Sequence, residues 1–251
     1  MEEKFIKVNN LKVFTRIEGQ GSPFLILHGW GASTKSWIRV QHELSKRFSV
    51  ICPDLPGFGK SDLPDSAWNI DSYLDFVIAL TKELKIEKFY LLGHSFGGRI
   101  AIKLAEKFPE RLEKLILIDS AGIKPKAPNW FISLLNRFMG IFKFMPGYNI
   151  GRKAYYKFII RSTDYLKATG IMKQVFQKVI AEDLIDCLHN IQIKTFIIWG
   201  KHDNLTPLKD GQIINQKIAD SKLDIVDTGH APHLIIPKII SQKIIDFIYG
   251  K

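Results

Sequence analysis

Apolar residues along this chain fall into two alternating patterns. The first is a set of short, nearly unbroken runs: Phe24 to Leu27, Phe48 to Cys52, Phe89 to Leu92, Leu115 to Ile118 and Thr195 to Trp199. Runs of this kind mark strands covered on both faces. Leu223 to Val226 adds a shorter one, and two alternating stretches, Phe5 to Val8 and Leu11 to Ile17, flank Asn9-Asn10 and predict an edge hairpin. The second pattern has a period near that of a helix. It predicts helices over about Ser36 to Lys46, Asp71 to Lys85, Leu208 to Ala219 and Pro237 to Tyr249, and a further one carried by Ile100, Ala101, Leu104, Ala105 and Phe108. In the second of these, Ile70, Leu74, Val77, Ile78 and Leu84 share a stripe, with Asp71 or Ser72 placed to cap its start. Pro237 stands near the first turn of the last.

Strands that alternate with helices imply an α/β fold: a mostly parallel, twisted sheet of about eight strands with right-handed crossovers and helices on both faces. Ligand sites in such sheets lie beyond the carboxyl ends of the strands. The loops after Leu27, Cys52, Leu92, Ile118, Trp199 and Val226 all open onto that edge.

The alternation breaks at Gly122. Three helical stretches follow without strands between them, at about Asn129–Phe144, Gly151–Arg161 and Ile171–Leu188. Residues 122–187 are therefore expected to form a helical lid inserted into a core made of 1–121 and 188–251. The segment holds 11 of the 29 aromatic residues, as packing helices or a pocket wall would require. It also concentrates charge: 11 Lys or Arg stand against 4 Asp or Glu, within a chain whose net charge is +11. A basic face of this kind suits solvent, anionic lipid or an acidic substrate. No nucleic-acid-binding signature accompanies it, so no nucleic-acid partner is expected. Trp130 to Phe138 has the apolar and basic character of an interfacial helix, though lid packing explains the same residues. Two cysteines, Cys52 and Cys187, make no disulfide framework and have no metal-ligand spacing, and the first residues lack a signal-peptide pattern. The cytoplasm is the expected compartment, with no metal and no organic cofactor.

Chemistry concentrates where the run Phe89–Leu92 ends in Gly93-His94-Ser95-Phe96-Gly97 and a helical pattern starts at once. Strand, tight turn and helix with serine at the apex form a nucleophile elbow: glycines two residues either side let the elements approach, and the helix N-terminus favours developing negative charge. A serine hydroxyl needs a base, and the base an orienting acid. His230 follows the last strand and Asp203 the strand before it. Asp119, which ends the Leu115–Ile118 strand, is the alternative acid, and His233 the alternative base. Asp227 reads as a turn residue and His202 as exposed.

Five pieces in order resemble the α/β-hydrolase superfamily over nearly the whole length: Leu27-His28-Gly29-Trp30-Gly31, Pro53 to Ser61, Gly93 to Gly98, Trp199 to Asp203, and Gly229-His230-Ala231-Pro232-His233. The look is that of the lidded carboxylesterase and carbon–carbon bond hydrolase branch. The resemblance implies Ser95 as nucleophile, His230 as base and then acid, and Asp203 as orienter. It implies an oxyanion hole from the backbone N–H groups of Trp30 and Phe96, residues that would also touch substrate, and loop-orienting roles for His28 and His94. The expected activity is hydrolysis of a small-molecule carboxylic ester of modest size through an acyl-enzyme. Carbon–carbon bond or thioester hydrolysis by the same triad is the alternative, and a non-catalytic binding module or receptor the non-enzyme one. One departure stands out: relatives often carry an acidic residue shortly after Pro-His, and here Leu234-Ile235-Ile236 follows, which bears on helix capping more than on catalysis.

Overall fold

A computed structural model describes residues 1–124 and 170–250. Among them, eight strands form one sheet: β1 (Glu2–Val8), β2 (Leu11–Glu18), β3 (Pro23–Leu27), β4 (Ser49–Pro53), β5 (Phe89–His94), β6 (Leu112–Ile118), β7 (Thr195–Gly200) and β8 (Ser221–Val226), in the order β1-β2-β4-β3-β5-β6-β7-β8. The β1–β2 hairpin is antiparallel and meets β4 antiparallel; every pairing from β4 to β8 is parallel.

The helices are α1 (Ile38–Leu44), α2 (Ile70–Glu83), α3 (Phe96–Lys107), α4 (Gly170–Ala181), α5 (Leu208–Lys217), α6 (Pro232–Ile235) and α7 (Pro237–Tyr249). Successive side chains of a strand point to opposite faces, and β3 divides accordingly. Leu25 and Leu27 join the core under α2 and α3, while Phe24 and Ile26 join the core under α1 and α7. With both faces covered, the central strands have no polar side to show, hence the unbroken apolar runs.

Three local expectations need correction. The first predicted helix splits into a 3-10 turn, Thr34–Trp37, and the short α1. Asn69, rather than Asp71 or Ser72, caps α2: its side chain accepts from the Ser72 N–H at 2.9 Å, and Ser72 stands at the third helical position to complete a capping box. The helix expected over Ile171–Leu188 stops at Ala181. Glu182 and Asp183 would place negative charge at a helix C-terminus, where the dipole opposes it. Asp183 instead accepts from the backbone N–H of Ile185 at 3.2 Å, and Leu184 is drawn into the core with its N–H on the Gly122 carbonyl at 2.9 Å. The helices expected at Asn129–Phe144 and Gly151–Arg161, with the interfacial stretch at 130–138, lie outside the described residues. No helix among the described residues is long and apolar enough to cross a membrane.

Candidate active site

The expected nucleophile occupies the sharp turn between β5 and α3. Ser95 has φ 51° and ψ −112°, outside the usual wells for an L-residue, and such strain concentrates at functional sites. Its carbonyl accepts from Gly98 and Ala121, both at 3.0 Å, which fixes the bend. The bend needs glycine at two positions. A methyl group on Gly93 would lie 2.5 Å from the Gly97 carbonyl oxygen, and one on Gly97 would lie 2.2 Å from that of Leu27. The second neighbour is sheet backbone and cannot swing away. Gly97→Ala is therefore expected to destabilise the protein by about 1–3 kcal/mol, read as a lowered urea midpoint at an unchanged slope.

Three loops on the same edge bring their side chains together. His230 Nε2 lies 3.0 Å from Ser95 Oγ, and His230 Nδ1 lies 2.7 Å from Asp203 Oδ2. With Nδ1–H donated to the carboxylate, Nε2 turns its lone pair to the hydroxyl. Asp203 is buried, which by itself would raise its acid, but the bonds from His230, Thr206 and Leu205 outweigh burial and hold it below the usual carboxylate range. Leu205 and Thr206 donate backbone N–H groups to Oδ1 at 2.7 and 3.0 Å, and the Thr206 hydroxyl donates to Oδ2 at 2.6 Å. Thr206 Oγ1 is also 3.2 Å from His230 Nδ1, so it braces both partners. Nothing in the residue pattern singled out Thr206.

Of the two residues expected to supply oxyanion donors, Phe96 follows Ser95 and Trp30 lies in the loop after β3. Phe96 opens α3, so its N–H is one of those a helix leaves without an internal acceptor. A methyl group on Gly29, the residue before Trp30, would lie 2.8 Å from His94 Nδ1 and 3.3 Å from Ser95 Cβ, so this loop packs closely on the turn that carries the serine. Around the same point the Trp30 ring meets Phe176 at 4.8 Å, Phe58 at 4.9 Å and Phe96 at 5.4 Å between centroids, and Tyr73 meets Phe96 at 4.9 Å. These rings form an aromatic wall in which Phe176, from α4, stands with residues of the sheet loops.

Residues 22–155 match the family model described as alpha/beta hydrolase fold, more than half of the chain. The chain belongs to the α/β-hydrolase family. It is 28% identical to pimeloyl-[acyl-carrier protein] methyl ester esterase of Aeromonas hydrophila, across 92% of this chain and 96% of that one. It is 25% identical to 2-hydroxy-6-oxo-2,4-heptadienoate hydrolase of Pseudomonas putida, across 82% and 81%. Among solved structures, a meta-cleavage product hydrolase from Pseudomonas fluorescens superposes with a TM-score of 0.75 at 22% identity, covering 98% of this chain and 97% of that one.

Two other histidines of this α/β-hydrolase hold loops near the serine. His28 Nδ1 donates to the Gly29 carbonyl at 2.8 Å, and Nε2 accepts from the Leu55 N–H at 2.9 Å. Burial pushes its pKa below the ordinary histidine value and favours the neutral form that this acceptor role demands. His94 is buried as well. Burial, then the neighbouring His233 and His230, hold it far below the ordinary histidine range, and its Nε2–H reaches the His230 carbonyl at 2.8 Å. His233 stacks on Trp37 at 4.1 Å with ring planes 3° apart, and burial pushes it down to about 3. It has no hydrogen bond to Ser95 among the described residues. His202 pairs with Asp227 at 2.7 Å, both well exposed.

Asp119, the alternative acid, does reach the site. It is buried at φ 42°, with Oδ1 accepting from the Gly200 N–H at 2.7 Å and Oδ2 lacking a hydrogen-bond partner among the described residues. Burial foremost, and the adjoining Asp203 carboxylate, raise its acid to about 8 against the Gly200 N–H. At neutral pH it carries a proton, and a neutral acid cannot stabilise a histidinium as an anion does. Ligand atoms of His94, Asp119 and His230 lie within 4.8 Å of one another. An ion seated there would compete with Asp203 and Ser95 for His230, so this cluster fits the hydrogen-bonded relay better than a metal centre.

Proposed function

We propose that the chain is a serine hydrolase that cleaves a carboxylic ester of modest size with an apolar acyl group. The observation that carries this reading is the continuous chain of hydrogen bonds from Ser95 through His230 to Asp203, set beside the aromatic wall. Ser95 Oγ attacks the ester carbonyl while His230 Nε2 takes the hydroxyl proton. Asp203 holds the imidazole and stabilises its charged form. The oxygen of the tetrahedral intermediate accepts from the N–H groups of Phe96 and Trp30. Collapse expels the alcohol, which takes its proton from His230 and leaves Ser95 acylated. Water, deprotonated by His230, then frees the acid. Residues 122–187 act as the helical lid; the contact of Phe176 with Trp30 supports this role for the described part. The unpaired Cys52 and Cys187 suit a reducing cytoplasm.

A second reading draws on the Pseudomonas putida relative: the same triad acting on a carbon–carbon bond next to a carbonyl. The two part experimentally. Initial rates on p-nitrophenyl esters from acetate to long acyl chains are expected to be measurable, to peak at an intermediate length and to vanish in Ser95→Ala. Phe176→Ala should shift the optimum toward longer chains by opening the wall. No turnover on any ester, with hydrolysis of a vinylogous diketone instead, would move the assignment to carbon–carbon cleavage.

A further inference from the structure

Hydrolysis at Ser95 makes no use of an apolar patch that borders the catalytic edge. Ile38, Leu234, Ile235 and Ile239 are 41%, 46%, 69% and 51% exposed. They come from three segments held together beneath the surface. The stacked rings of Trp37 and His233 join the start of α1 to α6, with Ile38 following one ring and Leu234 the other. The chain turns at Ile236 into α7, where Ile239 stands four residues after Ile235. The patch is tied to the site from below: His233 lies 4.5 Å from His94, the residue before Ser95, and α6 begins two residues after His230. Single exposed aliphatic side chains are ordinary, whereas a cluster of them marks a docking surface.

Charge decides what docks. Lys35 and Arg39, around the start of α1, and Lys238, in α7, are exposed, and none forms an ion pair with a described residue. Glu43, a carboxylate within electrostatic reach of Lys238, is already bonded to Lys46. Glu18 is engaged by His42, Asp224 by Lys243 and Asp246 by Gln242. A second copy of the chain is disfavoured, because pairing the patch with itself would set these three cations against their own kind. Exposed aliphatic side chains with exposed cations close by in sequence and outside any ion pair match the boundary of an anionic bilayer, with side chains among the acyl chains and ammonium and guanidinium groups at the phosphates.

We propose that Ile38, Leu234, Ile235 and Ile239, with Lys35, Arg39 and Lys238, dock this hydrolase on anionic membrane surfaces. The residues of this surface are other than those at 130–138, and its use does not depend on the chemistry at Ser95. The test is co-sedimentation with vesicles of phosphatidylcholine alone or mixed with phosphatidylglycerol, for the wild type, for Ser95→Ala, for a Leu234→Ser/Ile235→Asp double variant and for a Lys35→Glu/Arg39→Glu/Lys238→Glu triple variant. Wild type and Ser95→Ala are expected to sediment with the mixed vesicles, to be released by high salt and to ignore phosphatidylcholine alone. Each multiple variant should lose at least about tenfold in vesicle partition, with unchanged circular dichroism and unchanged turnover of a water-soluble ester. The proposal is overturned if the wild type stays in solution, or if the variants sediment as it does. Binding equally to neutral vesicles without salt dependence overturns it too, as does a dimer that the double variant dissolves while vesicle binding persists. Sedimentation of Ser95→Ala keeps this outcome apart from the ester reading, which falls only on absent turnover.

Discussion

Ser95→Ala is expected to cut ester turnover by about a millionfold, leaving about a thousandfold or more over the uncatalysed rate from oxyanion donors and binding alone. The reason is chemical rather than structural. Removing Oγ leaves His230 Nε2 with no hydroxyl to deprotonate, while the turn itself is held by main chain: the Ser95 carbonyl keeps its bonds from Gly98 and Ala121. Alanine should adopt the same φ of 51° at a cost the surrounding bonds already meet, so the variant is expected to be folded. Pre-steady-state release of p-nitrophenol checks this directly, with a burst of one equivalent in the wild type and none in the variant. A folded variant keeping a hundredth of the wild-type rate would reject Ser95 as the nucleophile.

The second large effect separates two neighbouring carboxylic acids. Asp203→Asn is expected to lower turnover by about ten-thousandfold, because an amide can present a donor to His230 Nδ1 and reverse the tautomer. Asp119→Asn should leave turnover within about threefold, since an amide reproduces a protonated acid: its oxygen accepts from Gly200 and its NH2 faces Asp203. The two acids also differ in stability, with a definite sign. Asp119 holds its proton in the folded chain up to about pH 8, whereas an ordinary aspartate loses it near 3.8. Between those values the folded state binds the extra proton, so the stability of the wild type falls as pH rises through the window. Asparagine has no such proton. Asp119→Asn should therefore match the wild type near pH 4 and exceed it by about 2–5 kcal/mol near pH 8, measured from urea midpoints at both ends. Loss of activity in Asp119→Asn with retention in Asp203→Asn would exchange the two assignments.

What the residue pattern disclosed follows from where constraint is local. The central strands were legible because burial on both faces leaves a bare apolar run, and the elbow because two glycines and a serine must occur at fixed spacing for strand and helix to meet. Ser95, Asp203 and His230 were each visible as polar residues at strand ends. Their mutual distances were not, since those depend on the order β5-β6-β7-β8 and its register. Partners set by the fold alone stayed hidden. Thr206 reaches Asp203 and His230 only because the turn after β7 bends back, and the proton on Asp119 exists only because burial and a second carboxylate meet at one point. The end of α4 was misread because Leu184 and Leu188 continue a helical spacing while answering to the core. Leu234-Ile235-Ile236 read as a capping defect, whereas α6 is short enough to need no side-chain cap and shows two of the three to solvent.

The sheet also sets the order in which the site comes apart. Among the described residues β5, which leads into Ser95, has strands on both sides, while β8, which leads into the His230 loop, is paired to β7 alone and is only partly covered along its length. Fraying starts at such rims and reaches the centre last. His230 is therefore expected to part from Ser95 while the middle of the molecule is still intact, so that loss of activity on warming should run ahead of global unfolding. On this expectation a change that tightens β8 on β7 would lengthen the working lifetime without touching Ser95, His230 or Asp203.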